Sequence, residues 1–302
     1  MNQLQYIVRY SLTFIAVILF SGCATSYTPL TMEAKSNIQS SEIILDLKQQ
    51  ELYAEIEKAD SSAASAQFGL LGALIGTVVD STINSSRSET AETMVAPIRN
   101  SMVDYNFGQA LEDTLAVELK SLSFLNIQHI SQVHSQDSEE STKLIENSQA
   151  DVVLTLNTVY YLTPNFRTLK IISNIKAHPN TDILKVIAKK TDSNSDIPLL
   201  YQNSFTYEYS LKTSTSTLDE AVNNWAENNG RLIRKAVNQG VAELAKMIAY
   251  DLNVSESGNN DTKPAKTEKT KYGNRSGILV LDDNQYVILR LEDGSLYSYQ
   301  KM

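Results

Sequence analysis

A single cysteine, Cys23, occurs in the 302 residues of this chain. With no second thiol, an intramolecular disulfide framework is excluded, as is any cysteine-rich zinc or iron–sulfur site. The fold must therefore rest on its hydrophobic core and its backbone hydrogen bonds, and a chain of this length can bury a core large enough for that. The residues ahead of the cysteine add a second constraint. Arg9 precedes an apolar run from Leu12 to Phe20, and Ser21-Gly22 separate that run from Cys23. Such a run suits the apolar region of a secretory leader and falls well short of the ~20 residues of a membrane-spanning helix. Residues 1–22 thus read as a leader.

Leu19-Phe20-Ser21-Gly22-Cys23 resembles the lipobox of bacterial lipoproteins, in which small residues precede an invariant cysteine. Phe20 departs from the Leu or Val usual three residues before it. The resemblance implies a diacylglyceryl thioether on Cys23, cleavage before it and acylation of the new amino terminus, with no other cofactor. One acyl chain binds a bilayer only marginally, whereas several make a durable anchor. The alternative is an ordinary leader followed by a chance cysteine. Ala24, not the inner-membrane retention residue Asp, follows the cysteine, so the resemblance implies the outer membrane with the domain facing the periplasm.

Hydrophobic residues make up 42% of the chain and charged residues 20%, which is a globular and not a disordered composition. The 26 Lys+Arg against 35 Asp+Glu give a net charge of −9, and loss of Arg9 with the leader makes the mature chain one unit more acidic. A nucleic-acid binder needs a basic face, so no nucleic-acid partner is expected.

Residues 23–41 are small and polar and read as a tether. In 42–57, Ile43, Leu45 and Leu47 alternate with polar residues, as do Leu52, Ala54 and Ile56. Two short strands fit this pattern, with a helix as the rival because Gln, Glu, Leu and Lys are good helix formers. Residues 61–87 contain an uncharged run from Phe68 to Val79, in which Gly69, Gly72 and Gly76 share one helical face. Small residues at that spacing let a second backbone approach closely. Three readings stay open: a buried packing or oligomerising helix, a membrane-inserting hairpin, or a loop of small residues. Asp80 directly after the run favours the first, because a charge there would sit badly in lipid.

Residues 88–253 read as the main domain. The patterns predict a helix over 88–105 interrupted by Pro97, a helix over 107–122, a strand over 124–130 and a helix over 138–148. A central strand over 151–161, a turn at Thr163-Pro164-Asn165 and a returning strand over 167–177 follow. Strands over 183–190 and 199–211 come next, the latter with Phe205, Tyr207 and Tyr209 on one face. Thr217 and Glu220 form a capping box that opens a long helix to about Leu252, bent at Asn228-Asn229-Gly230. Residues 254–275 have the composition of a disordered linker, and 276–302 read as a three-stranded meander that docks on its own domain or on a partner. The expected fold class is α+β: helices packed on one face of a mainly antiparallel sheet, with a small C-terminal β-meander.

Catalytic signatures are missing from the sequence. There is no phosphate-binding G-x-x-x-x-G-K-[ST], no G-x-G-x-x-G and no G-x-S-x-G elbow. His129, His134 and His178 have no spacing that requires a metal, so no metal site is expected. Of the 15 tyrosines, Tyr160, Tyr161, Tyr201, Tyr207 and Tyr209 fall on predicted strands. Tyrosine suits protein interfaces, which makes Tyr207 and Tyr209 a candidate partner surface, while coverage of a sheet face is the plainer explanation.

The segments Gln49–Ile56, Phe68–Ile75 with Asp80, and Val95–Arg99 with Asp104-Tyr105-Asn106-Phe107 resemble an uncharacterised family of proteobacterial outer-membrane lipoproteins over roughly residues 1–252. That resemblance implies lipoprotein status and carries no activity. The order of elements in 107–252 is also similar to the periplasmic α/β domain of the curli-secretion channel lipoprotein and of peptidoglycan-synthase activator lipoproteins, in pattern only. The expected function is a non-enzymatic outer-membrane lipoprotein whose periplasmic domain binds envelope proteins or itself. A pore or secretion component that inserts residues 61–87 is the alternative, and a hydrolase with an unrecognised site is the third.

Overall fold

A computed structural model describes residues 27–47, 49, 51–55, 82–134, 138–191, 198–212, 217–254, 265–270, 273–282 and 284–301. Six helices and ten strands occur among them, in an α+β arrangement. The helices are α1 (Met32–Asn37), α2 (Thr82–Asn100), α3 (Phe107–Leu119), α4 (Ser138–Asn147), α5 (Asp182–Thr191) and α6 (Leu218–Asn253). The strands are β1 (Ser41–Asp46), β2 (Tyr53–Ala54), β3 (Ile127–Val133), β4 (Val152–Leu162), β5 (Thr168–Pro179) and β6 (Tyr201–Ser210), then β7 (Ala265–Thr270), β8 (Gly273–Asp282), β9 (Tyr286–Arg290) and β10 (Leu296–Gln300). They form one sheet in the order β3-β1-β4-β5-β6-β10-β9-β8-β7, with β2 beside the far end of β4.

The long antiparallel run β4-β5-β6 is the spine of this sheet. Its first turn is held by Thr163, whose backbone amide donates to the Thr168 carbonyl at 2.9 Å and whose hydroxyl meets Asn165 Oδ1 at 2.8 Å. Strand β1 enters between β3 and β4, parallel to both. A strand paired on two sides must be apolar, and Ile43, Ile44 and Leu45 are all buried. The two predicted strands of 42–57 are thus present, but they do not pair with each other: both run parallel to β4 at different heights.

Five helices bury their apolar residues on one face, in a core that includes Leu111 and Leu115 of α3, Leu184 of α5 and Trp225, Val241 and Ile248 of α6. Helix α6 opens with the capping box of Thr217 and Glu220 in place. At Asn228, Asn229 and Gly230 the backbone turns left-handed, which breaks α6 into two helical parts. These are the residue types that tolerate positive φ, and a Cβ on Gly230 would stand 2.3 Å from Ser101 Oγ.

Three expectations need correction. Pro97 does not interrupt its helix: α2 runs through it to Asn100. Pro97 is exposed and lies in the last turn, and Thr93, whose carbonyl loses its partner there, is exposed as well. Residues 183–190 form helix α5 and not a strand. Leu184, Ile187 and Ala188 share the buried face, while Ile183 and Val186 lie exposed and mimic a strand's apolar content. Part of the supposed linker 254–275 is ordered into the ladder, because β7 pairs with β8 over Ala265–Thr270. The meander docks on its own domain, one of the two expected outcomes: β10 pairs parallel with β6 from Leu296 opposite Phe205 to Tyr299 opposite Glu208, so the tail continues the main sheet.

Candidate interaction surface

The helix-covered face uses the tyrosines for packing. Tyr207 and Tyr209 were candidates for a partner surface, and the structure overturns that. Both are buried, with Tyr209 tilted against Trp225 at 5.9 Å between ring centres and Tyr207 against Tyr286 at 5.9 Å. They alternate inward under α6, which is what strand periodicity dictates once a helix covers that face. Trp225 donates its Nε1–H to the Phe166 carbonyl at 2.6 Å, so the only tryptophan is tied to the β4–β5 turn. Cys23, and Gly69, Gly72 and Gly76, lie outside the described residues.

The opposite face carries one described helix, α4, which packs Ile145 against Ile44, Val133 and Val153. Beyond it the face turns polar. Thr155 Oγ1 stands 3.1 Å from His178 Nε2, and the Asn157 amide donates to Asp46 at 3.3 Å. Burial, and next the charge of Lys176, push His178 down to about 4. Thr155, Asn157, Asn174, Ser204 and Thr206 are half-buried side chains at the centre of the sheet, and Lys176 is exposed. Farther along β4 come Val159, Tyr161 and Ile172, with Tyr53 stacked on Tyr161 at 5.4 Å. A Lys170–Glu208 ion pair of 2.9 Å leads across to Tyr297 and Tyr299, and Arg275 sits 4.5 Å over the Tyr297 ring. Burial, and then Glu208, raise the Tyr297 phenol far above its ordinary range. The outcome is a neutral hydrogen-bonding strip between two aromatic clusters, on the side of the sheet that carries only one of the described helices. Tyr53, Tyr161, Tyr297 and Tyr299 are the tyrosines of these two clusters; Tyr53 is half-buried and the other three are buried. Strand parity is the signal that could have separated them from Tyr207 and Tyr209.

A cleft of about 430 Å³ opens near the end of β3, lined by Leu47, Gln49, Asp104, Tyr105, Phe107 and His134 among others. Three of its polar side chains are already engaged. Gln49 bonds both backbone groups of Tyr160, Tyr105 donates to Asn238 at 2.6 Å, and Asp104 pairs with Arg234. The Arg234 hydrogen bond holds the Asp104 carboxyl below its usual range. The cleft unites no nucleophile with a base. Among the described residues, no group of three or more His, Cys, Asp or Glu is placed to hold a metal ion. The three histidines are spread over β3, the segment after it and the end of β5. No helix among the described residues is long and apolar enough to cross a membrane.

A buried charged cluster, unforeseen in the sequence, joins the tail to the domain. Asp251 of α6 is fully buried. It accepts from Tyr201 Oη at 2.6 Å and Asn203 Nδ2 at 2.7 Å, and pairs with Arg290 of β9 at 2.5 Å. Arg290 also donates to the Gly294 carbonyl at 3.0 Å and lies 5.4 Å over the Tyr27 ring. Fold and surface together define an α+β protein with one helix-clad sheet face and one largely strand-borne face. No family model matches the chain, and no curated protein matches its sequence.

Proposed function

We propose that this chain is a non-enzymatic outer-membrane lipoprotein, anchored by acyl chains on Cys23, whose α+β domain binds proteins in the periplasm as an assembly or accessory factor. The lipobox-like Leu19–Cys23 supports the anchor. The observation that carries the binding role is the lopsided sheet. Five helices bury one face, while the other presents the Thr155–Asn157–Asn174–Ser204–Thr206 strip beside exposed Lys176, flanked by tyrosines. Half-buried amides and hydroxyls suit a protein surface, which offers backbone groups to bond. Crosslinking and pull-down of the intact lipoprotein from its native envelope tests this. Capture of a defined partner or of a second copy is expected. Recovery of uncrosslinked monomer alone would refute the reading.

A further inference from the structure

The two edges of the sheet are built differently. Strand β7, at one edge, has the sequence Ala265-Lys266-Thr267-Glu268-Lys269-Thr270, with charges of the kind that discourage edge-to-edge pairing. Strand β3, at the other, reads Ile127-Gln128-His129-Ile130-Ser131-Gln132-Val133. It has no Lys, Arg, Asp, Glu or Pro, and among the described strands its ladder partner is β1 alone. Gln128 and His129 are exposed. A bulge opposite Ser41 distorts the Ile127 end, and from His129 onward the register with β1 is regular.

The direction of the free backbone groups follows from one hydrogen bond. The Leu47 amide donates to the Val133 carbonyl at 2.8 Å, so Val133, and by alternation Ser131 and His129, turn their backbone groups toward β1. Ile130 and Gln132 then point theirs out of the sheet, while Gln128 lies in the bulge, where the alternation with β1 is broken. Turned about a two-fold axis at Ile130, the regular part of the strand meets itself as an antiparallel neighbour, with Ile130 beside Ile130 and His129 beside Ser131. Outward-facing Ile130 then meets outward-facing Ile130, polar His129 meets polar Ser131, and no like charges meet.

We infer that β3 is a self-association edge, where two copies of this chain join in an antiparallel two-fold pair and extend the sheet across the dimer. An isologous contact of this kind closes on itself and leaves the charged β7 edges at the two outer ends. The inference rests on the protein-binding reading above and names a second copy as a partner, through the rim of the sheet instead of its open face.

The test is the mass of the intact lipoprotein in detergent micelles by sedimentation, for the parent and two double variants. In the pair, residue 129 of one copy lies beside residue 131 of the other. H129K/S131K would bring lysines against lysines, and the two-chain species should be lost. H129E/S131K would place Glu against Lys in each copy, and the two-chain species should be kept. A third measurement fixes the register: mixed H129C and S131C chains should form a disulfide-linked dimer under mild oxidation that neither forms alone. A parent that is a single chain overturns the inference, and so does a dimer that survives H129K/S131K. A monomeric parent that still captures another envelope protein sinks the β3 pairing and leaves the protein-binding reading intact, whereas capture of nothing sinks both.

Discussion

Replacing Asp251 by Asn tests whether the tail is held by the buried charge cluster. The substitution keeps the side chain's size and removes its charge. Asp251 is fully buried and Arg290 only 11% exposed, so water cannot restore what Arg290 loses. Breaking a buried pair from one side leaves an uncompensated charge and costs about 3–5 kcal/mol. Tyr201 and Asn203 also lose an ionised acceptor, and such bonds contribute about 1.5–3 kcal/mol each before the replacement amide oxygen recovers a part. The expected total is at least about 3 kcal/mol, against a fold stability of about 5–15 kcal/mol. Urea unfolding followed by the fluorescence of Trp225, itself fully buried, reads the global part. Amide hydrogen exchange in β9 and β10 reads the local part, and protection there should fall further than in β4 and β5. The apolar double variant D251L/R290M should recover much of the loss, because it leaves no unpaired buried charge. A loss under about 1 kcal/mol for D251N would refute the reasoning, since burial of this pair would then carry no penalty for breaking it.

Three further outcomes follow from the same contacts. His178 falls to about 4 in the fold from its ordinary 6.5, so the unfolded chain binds the proton more readily, and stability should decrease as pH falls from 6.5 toward 4. The decrease is about 2–3 kcal/mol, visible as a drop in urea midpoint between pH 7 and pH 4.5 that H178Q should abolish. Gly240→Ala would put a Cβ 2.5 Å from Ile171 Cδ1 and 2.6 Å from Tyr207 Cδ1, so the thermal midpoint should drop by the equivalent of about 1–3 kcal/mol. Cys23→Ser should abolish incorporation of labelled palmitate and release the chain from the membrane fraction. Unchanged labelling would place the lipid elsewhere.

What was legible in the sequence was what local chemistry decides. The Thr217–Glu220 capping box, the Asn-Asn-Gly break in α6 and the β4–β5 hairpin each depend on a few adjacent residues, and each is where the pattern predicts it. What failed depends on which side of an element is covered. The alternation of Phe205, Tyr207 and Tyr209 is the same whether a helix or a partner lies above them, and only the placement of α6 shows which. Ile183 and Val186 are exposed apolar residues at the ends of a helix's solvent face, so apolar content alone could not tell α5 from a strand. Asp251 gave no signal, because an acid near the end of a long helix reads as solvated until Arg290, 39 residues on, is brought to it by the fold.

That long-range pair also bears on how the tail finds its place. The strands β8–β10 would be marginal alone, and their joint to the domain is a parallel pair, β6 with β10, of the weaker hydrogen-bonding kind. A slip of one residue at this joint would turn Leu296 and Ser298 outward and drive Tyr297 and Tyr299 into the helix-covered core. Hydrophobicity alone guards against that weakly, since tyrosines are buried on both faces here. Arg290 discriminates better. It lies opposite Leu296, so a slip that moves the tail by one strand position carries the guanidinium about 3.3 Å along β6, or to the other face altogether. Asp251 would then remain buried without its cation, beside Tyr201 and Asn203, which cannot neutralise it. The ion pair thus penalises the wrong register by several kcal/mol whatever its net contribution to the right one, which explains a buried charge at a joint that apolar residues could equally fill.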